Sequence, residues 1–120
     1  ENDPDFELVA EARTGVEALA AVNAQHAQQH PPSLVLMDIG MPDMDGIEAT
    51  QKLKQQWPHL PVLMLTSKDN ANEVKAALAA GADGYCLKGL EFDQLKPVMQ
   101  TVAEGNAWLD RQVARLILMD

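Results

Sequence analysis

The feature that most restricts this chain is a series of short apolar runs, each closing on a polar residue and separated by segments that open like capped helices. Leu34-Val-Leu-Met37 closes on Asp38, Pro61-Val-Leu-Met-Leu65 on Thr66-Ser67, and Gly84-Tyr-Cys-Leu87 on Lys88. Such unbroken runs are strands buried on both faces, as when helices cover both sides of a parallel sheet. Between them, Asp45-Gly-Ile-Glu48 and Asn70-Ala-Asn-Glu73 each place a capping side chain three residues before a carboxylate. Ile47, Ala49, Thr50, Leu53 and Trp57 then share a helix stopped by Pro58, and Val74, Ala77 and Leu78 share another with Gly81 at its C-terminal cap.

The remaining segments extend this alternation. Phe6-Glu-Leu-Val-Ala-Glu-Ala12 alternates like a half-buried edge strand, and Thr14-Gly-Val-Glu17 opens a helix expected from about residue 15 to His30, ended by Pro31-Pro32. A long helix is expected from about Glu91 to Glu104, kinked or delayed by Pro97, which has no backbone donor. Asp110 caps a last piece, Arg111 to Met119, whose Val113, Leu116, Ile117 and Met119 form an apolar stripe that calls for a neighbour. The expected fold is α/β, a doubly wound parallel sheet.

With 120 residues, 47% of them hydrophobic, the chain can bury one core but not two. Eighteen acidic against nine basic side chains, a formal charge of −9, would repel a phosphate backbone, so these residues are not expected to bind nucleic acid. Cys86 is the single cysteine, which excludes an intrachain disulfide, and no stretch has the composition of a signal peptide or membrane span. A cytoplasmic protein without membrane association is expected.

In doubly wound sheets, chemistry sits beyond the carboxyl ends of the strands. Asp38, Thr66 and Lys88 each end one, so a carboxylate, a hydroxyl and an ammonium arrive on one rim. A carboxylate accepts a phosphoryl group as an aspartyl phosphate, and the ammonium and hydroxyl hold its oxygens by charge-assisted hydrogen bonds. Taken singly, Asp38 reads more readily as a solvated strand-end acid, Thr66 as a turn residue and Lys88 as a surface charge; their convergence favours the chemical reading. Met37, Met64 and Cys86 read as core fillers, and Tyr85 as either a core aromatic or a moving part. His26, His30 and His59 lack companions at metal-ligand spacing and read as solvated.

Met37-Asp-Ile-Gly-Met-Pro-Asp-Met-Asp-Gly46 resembles the phosphoacceptor strand and loop of two-component response regulators. Leu65-Thr66-Ser67, Gly81-Ala-Asp-Gly-Tyr85 and Tyr85-Cys-Leu-Lys88 resemble the later strand ends of the same receiver domains. Met44-Asp-Gly-Ile-Glu-Ala-Thr50 and Glu104-Gly-Asn-Ala-Trp-Leu-Asp-Arg-Gln-Val-Ala-Arg115 are similar to the NarL/FixJ branch, in which glycine, as at Gly89, commonly follows the lysine. The resemblance implies a flavodoxin-like sheet of family order 2-1-3-4-5, with residues 1–107 as the receiver and 108–120 as the start of a linker helix. It implies that a sensor histidine kinase phosphorylates Asp38 with Mg²⁺ bound, the Gly40 backbone carbonyl supplying one metal oxygen. Thr66 would move toward the phosphoryl group, Tyr85 would turn inward and Lys88 would bridge to the phosphoryl oxygens. Homodimerisation is implied, as is DNA binding through a C-terminal helix-turn-helix domain not contained in these residues.

Such receivers open with a strand ending in an acidic pair that helps to hold Mg²⁺, followed by a helix, and neither is found before Phe6. Glu1 in place of Met suggests a part of a longer product, with the segment omitted or cleaved, or else the edge strand shifted or swapped into its place. The vacant position would lie between Phe6–Ala12 and Leu34–Asp38, a gap of roughly 10 Å.

Other functions remain open at this level. A receiver-like interaction module that no longer accepts phosphate is compatible with the lost acids. A haloacid-dehalogenase-type phosphatase needs a second aspartate where Gly40 stands, and a flavodoxin-like cofactor binder needs a phosphate loop after the first strand. No enzymatic function is expected.

Overall fold

A computed structural model describes residues 6–7, 10–38, 45–66, 71–109, 111, 114, 115 and 118. Its elements are α1 (Gly15–Ala27), β1 (Val35–Asp38), α2 (Gly46–Gln56), β2 (Val62–Thr66), α3 (Ala71–Ala79), β3 (Gly84–Leu87), α4 (Phe92–Ala103) and β4 (Trp108–Leu109). The strands form one parallel sheet in the order β1-β2-β3-β4. Strands β1, β2 and β3 and the helices between them fall where the apolar runs and caps predict, and the fold class is the expected one.

Local chemistry explains the helix starts. The Glu17 amide donates to Thr14 Oγ1 at 3.1 Å and the Glu48 amide to Asp45 Oδ1 at 2.8 Å, each satisfying a donor that the first helical turn leaves open. Glu91 precedes α4, and its amide donates to Gln94 Oε1 at 3.2 Å. Pro97 sits inside α4 without ending it. The Asn70 cap lies outside the described residues.

Alternation along the strands sorts side chains onto two layers. Met37, Val62, Met64 and Tyr85 pack with Ala18 and Val22 of α1, Ala49 and Leu53 of α2, and Val74 and Ala77 of α3. Leu63 and Cys86 face the other way, against Val98, Met99 and Val102 of α4. Met37, Met64 and Cys86 are the core fillers expected of them. Among the described residues, one layer is therefore covered by three helices and the other by one.

Beside that one helix lies a cavity of about 1610 Å³, lined by Phe6 and Ala10–Ala12, by Val35, Leu36 and Met37 of β1, and by Leu95 and Met99 of α4. Leu36 is 42% exposed, although its strand position would be interior in a sheet covered on both faces. The strand expected over Phe6–Ala12 is not found among the described residues. Phe6 makes an isolated bridge, Ala10–Ala12 have no strand pairing, and Leu8 and Val9 are outside the description.

Two further departures have local causes. Helix α1 ends at Gln28, before Pro31-Pro32, because Gln29 adopts the left-handed conformation (φ 63°) and lets His30 donate to the Gln25 carbonyl at 2.9 Å. Trp108–Leu109, assigned to the linker in the sequence reading, pairs with Gly84–Tyr85 after Gly105 turns the chain back (φ 97°). Arg111, Ala114, Arg115 and Leu118 are helical, while Asp110, Val113, Leu116, Ile117 and Met119 lie outside the described residues.

His26 also departs from the solvated reading. Its ring stacks on Trp57 with centroids 3.5 Å apart and planes 1° from parallel, and Trp57 Nε1 donates to Asn23 Oδ1 at 3.1 Å. This contact joins α1 to the end of α2 and leaves His26 Nε2 buried, with no hydrogen-bond partner among the described residues. His30 and His59 are exposed.

At the amino ends of β2 and β3, Lys54 Nζ lies 2.7 Å from Asp83 Oδ2 and donates to the Leu60 carbonyl at 2.6 Å. Asp83 Oδ2 accepts the Val62 amide at 2.9 Å. Here Gly84 lies so close to its neighbours that a Cβ would fall 2.8 Å from Leu63 Cδ1 and 3.0 Å from Val102 Cγ2.

Candidate functional site at the carboxyl rim

Parallel pairing in the register Asp38↔Leu65 and Thr66↔Leu87 brings Asp38, Thr66 and Lys88 to one rim from three adjacent strands. Lys88 Nζ donates to Asp38 Oδ2 at 2.6 Å, closing a carboxylate-ammonium pair between residues 50 apart in sequence. Both side chains are about two-fifths exposed, so the pair is open to a solution partner. The Lys88 amide donates to the Thr66 carbonyl at 2.6 Å and fixes where the lysine leaves the strand.

Thr66 and Tyr85 are also brought together, but around a residue that the sequence reading treated only as part of a cap. The Thr66 hydroxyl donates to Glu73 Oε1 at 3.0 Å, and the Tyr85 hydroxyl lies 3.4 Å from the same oxygen. Glu73 stands in the first turn of α3, and the one sequence signal for it was a carboxylate shortly after the strand ending in Thr66. Tyr85 is fully buried, and Thr66 is 4% exposed.

Burial pushes the Tyr85 hydroxyl above its ordinary pKa; contact with Thr66 opposes this, while the charge and hydrogen bond of Glu73 add to it. Above the unfolded value near pH 10 the native state retains a proton that the unfolded chain has lost, so stability falls as pH rises. The contribution is fully present below about pH 10. Denaturant midpoints taken from about pH 8 to 11 should fall more steeply for the parent than for Tyr85→Phe; parallel curves would refute this.

Gly40 lies outside the described residues, as does Ser67. Among the described residues, no three His, Cys, Asp or Glu side chains converge as a metal site. Asp38 thus supplies one carboxylate, whereas Mg²⁺ takes six oxygens, several from water. The described residues alone do not make a Mg²⁺ site, and further oxygens would have to come from elsewhere. No helix among the described residues is long and apolar enough to cross a membrane.

A doubly wound parallel sheet with an acid and a base joined across its carboxyl rim defines the class of protein. A model of the response regulator receiver domain matches residues 2–100, and the chain belongs to that family. It is 35% identical over 118 residues to the transcriptional regulatory protein DegU of Brevibacillus brevis, covering 98% of this chain and 48% of that protein. It is 38% identical over 109 residues to the response regulator protein VraR of Staphylococcus aureus, covering 91% and 50% respectively. A solved LuxR-family two-component response regulator from Aurantimonas sp. SI85-9A1 superimposes with a TM-score of 0.84 at 27% identity, covering 99% of this chain and 81% of that one. The chain spans about half the length of the curated relatives it matches. It is the receiver domain of a two-component response regulator related to transcriptional regulators.

Proposed function

We propose that this domain is a phosphorylation switch in which Asp38 accepts a phosphoryl group from the phosphohistidine of a sensor kinase. The single observation that carries the reading is the 2.6 Å pair between Asp38 and Lys88, which joins a nucleophilic carboxylate to a cation on an exposed rim. In the transfer, an Asp38 carboxylate oxygen bonds to phosphorus, the phosphorus-nitrogen bond of the donor breaks, and the donor imidazole keeps the electron pair. Lys88 then holds a phosphoryl oxygen, and Thr66 turns its hydroxyl toward another. Mg²⁺, when bound, would neutralise charge on the transferring group, with Asp38 and the Gly40 carbonyl among its ligands.

In this reading a strand ending in acidic residues, from the same polypeptide, occupies the cavity beside β1, and a helix following it covers Leu36 and the open side of α4. Output passes through a C-terminal DNA-binding domain beyond the linker, in a cytoplasmic homodimer. Intact-mass measurement of the protein carrying this domain, after incubation with acetyl phosphate and Mg²⁺, tests the reading. One phosphoryl adduct is expected, absent from Asp38→Asn. No adduct on the parent, or one that survives Asp38→Asn, overturns it in favour of a module that works by constitutive contacts.

A further inference from the structure

Helix α4 begins at Phe92, so only Lys88 to Glu91 connect it to the end of β3. Both ends of this connection are fixed by hydrogen bonds. The Lys88 amide donates to the Thr66 carbonyl at 2.6 Å, the Gln94 amide donates to the Glu91 carbonyl at 2.9 Å, and the Glu91 amide donates to Gln94 Oε1 at 3.2 Å. Between these points Lys88 and Gly89 make a turn in which Gly89 has φ 99°. A Cβ on Gly89 would meet nothing within 4 Å, so space does not call for glycine here. Conformation does: a residue with a side chain strongly disfavours so positive a φ, and glycine adopts it freely. A residue held to negative φ would force the turn to be rebuilt between two fixed ends, and the change would fall on Lys88 and Leu90. Of these two, Lys88 is the one whose ammonium reaches Asp38 Oδ2, 2.6 Å away.

We propose that Gly89 is a positioning residue for Lys88: its left-handed turn fixes the direction in which the lysine leaves β3 and so aims the ammonium at the phosphoryl position beside Asp38. The proposal rests on the phosphoacceptor reading and adds to it a residue that has no side chain of its own. The demand on position 89 is conformational, so the rate of phosphoryl transfer should follow how readily each replacement enters positive φ. Asparagine does so more readily than alanine, and a β-branched residue such as valine least of all. The expected order of rates is therefore glycine, asparagine, alanine, valine. Asparagine is larger than alanine, so crowding at the rim would reverse that pair. Because Gly89 acts through Lys88, no replacement at 89 should cost more than the loss of the lysine itself.

The test is a double-mutant cycle on the protein carrying this domain, with Gly89→Ala, Gly89→Asn and Gly89→Val made in the parent and Gly89→Ala and Gly89→Asn also in Lys88→Ala. The readout is the single-turnover rate of adduct formation with acetyl phosphate and Mg²⁺, per folded molecule as counted by urea unfolding. In the parent, Gly89→Ala should slow the adduct by about tenfold, with Gly89→Asn between it and the parent. In the Lys88→Ala background the same change should cost less than about twofold, because two residues acting through one interaction are not additive. If the alanine variant fails to fold, Gly89→Asn decides by the same comparison of backgrounds. A folded Gly89→Ala that reacts at the parent rate overturns the proposal, as does an equal slowing in both backgrounds or an asparagine variant slower than the alanine one. In each of these cases the parent still takes the adduct and the phosphoacceptor reading stands. Absence of any adduct on the parent overturns that reading, and the role of Gly89 with it.

Discussion

Replacing Lys88 by alanine is expected to slow formation of the Asp38 adduct by roughly 10²-fold while leaving the fold in place. The two halves of this expectation come from one geometry. The Lys88-Asp38 pair is 2.6 Å long but about two-fifths exposed on each side, and exposed ion pairs contribute about 0–1 kcal/mol to folding. In the proposed transfer the same ammonium would face charge developing on the phosphoryl oxygens, where removing one preorganised donor typically costs two to three decades in rate. Lys88→Arg keeps the charge but replaces a compact ammonium with a planar fork, and should recover only part of the rate. Single-turnover kinetics with acetyl phosphate, set beside urea unfolding of the same samples, separates the two effects. An unchanged adduct rate in a folded Lys88→Ala protein would show that the pair has no part in transfer.

Leu53→Ala should have the opposite profile, a loss of stability of about 3 kcal/mol with no direct chemical defect. Leu53 is fully buried in α2 and packs in the layer that also contains Met64, Tyr85 and Val74. Truncating it removes transfer free energy and leaves a void, because backbone held by a capped helix and a parallel ladder collapses only partly. Domains of this size are stable by about 5–15 kcal/mol, so the urea midpoint should fall clearly at an unchanged slope. Adduct formation per folded molecule should stay close to that of the parent. A midpoint within error of the parent would mean that the layer closes over the lost side chain.

What was legible in the sequence follows from how local each cause is. Thr14 and Asp45 act within one turn, so their caps could be read directly and are present. The runs ending at Asp38, Thr66 and Lys88 could be read because no polar residue interrupts them, and parallel topology then places their ends on one rim. Trp108–Leu109 could not be read as a strand, since two residues have no periodicity and their pairing depends on the turn at Gly105. The early end of α1 was hidden because Gln29, not glycine, takes the left-handed position. The stacking of His26 on Trp57 joins residues 31 apart that only the packing of α1 on α2 brings together. Glu73 was visible only as a cap partner; its meeting with Tyr85 required the arrangement of β2, β3 and α3. Of the alternating Phe6–Ala12 segment, Phe6 forms a bridge and Ala10–Ala12 do not pair, while Leu8 and Val9 lie outside the described residues.

The Lys54-Asp83 pair lies at the rim opposite to Asp38, gripping the starts of β2 and β3 while their ends hold the candidate chemistry. Under the proposed function, a genetic screen that scores output would confuse the two rims, because too little folded protein and a silent switch look alike. Measuring protein abundance beside output would divide the variants by geography. Changes at Lys54, Asp83 or Gly84 should sort with low abundance, and changes at Asp38 or Lys88 with normal abundance and no signal.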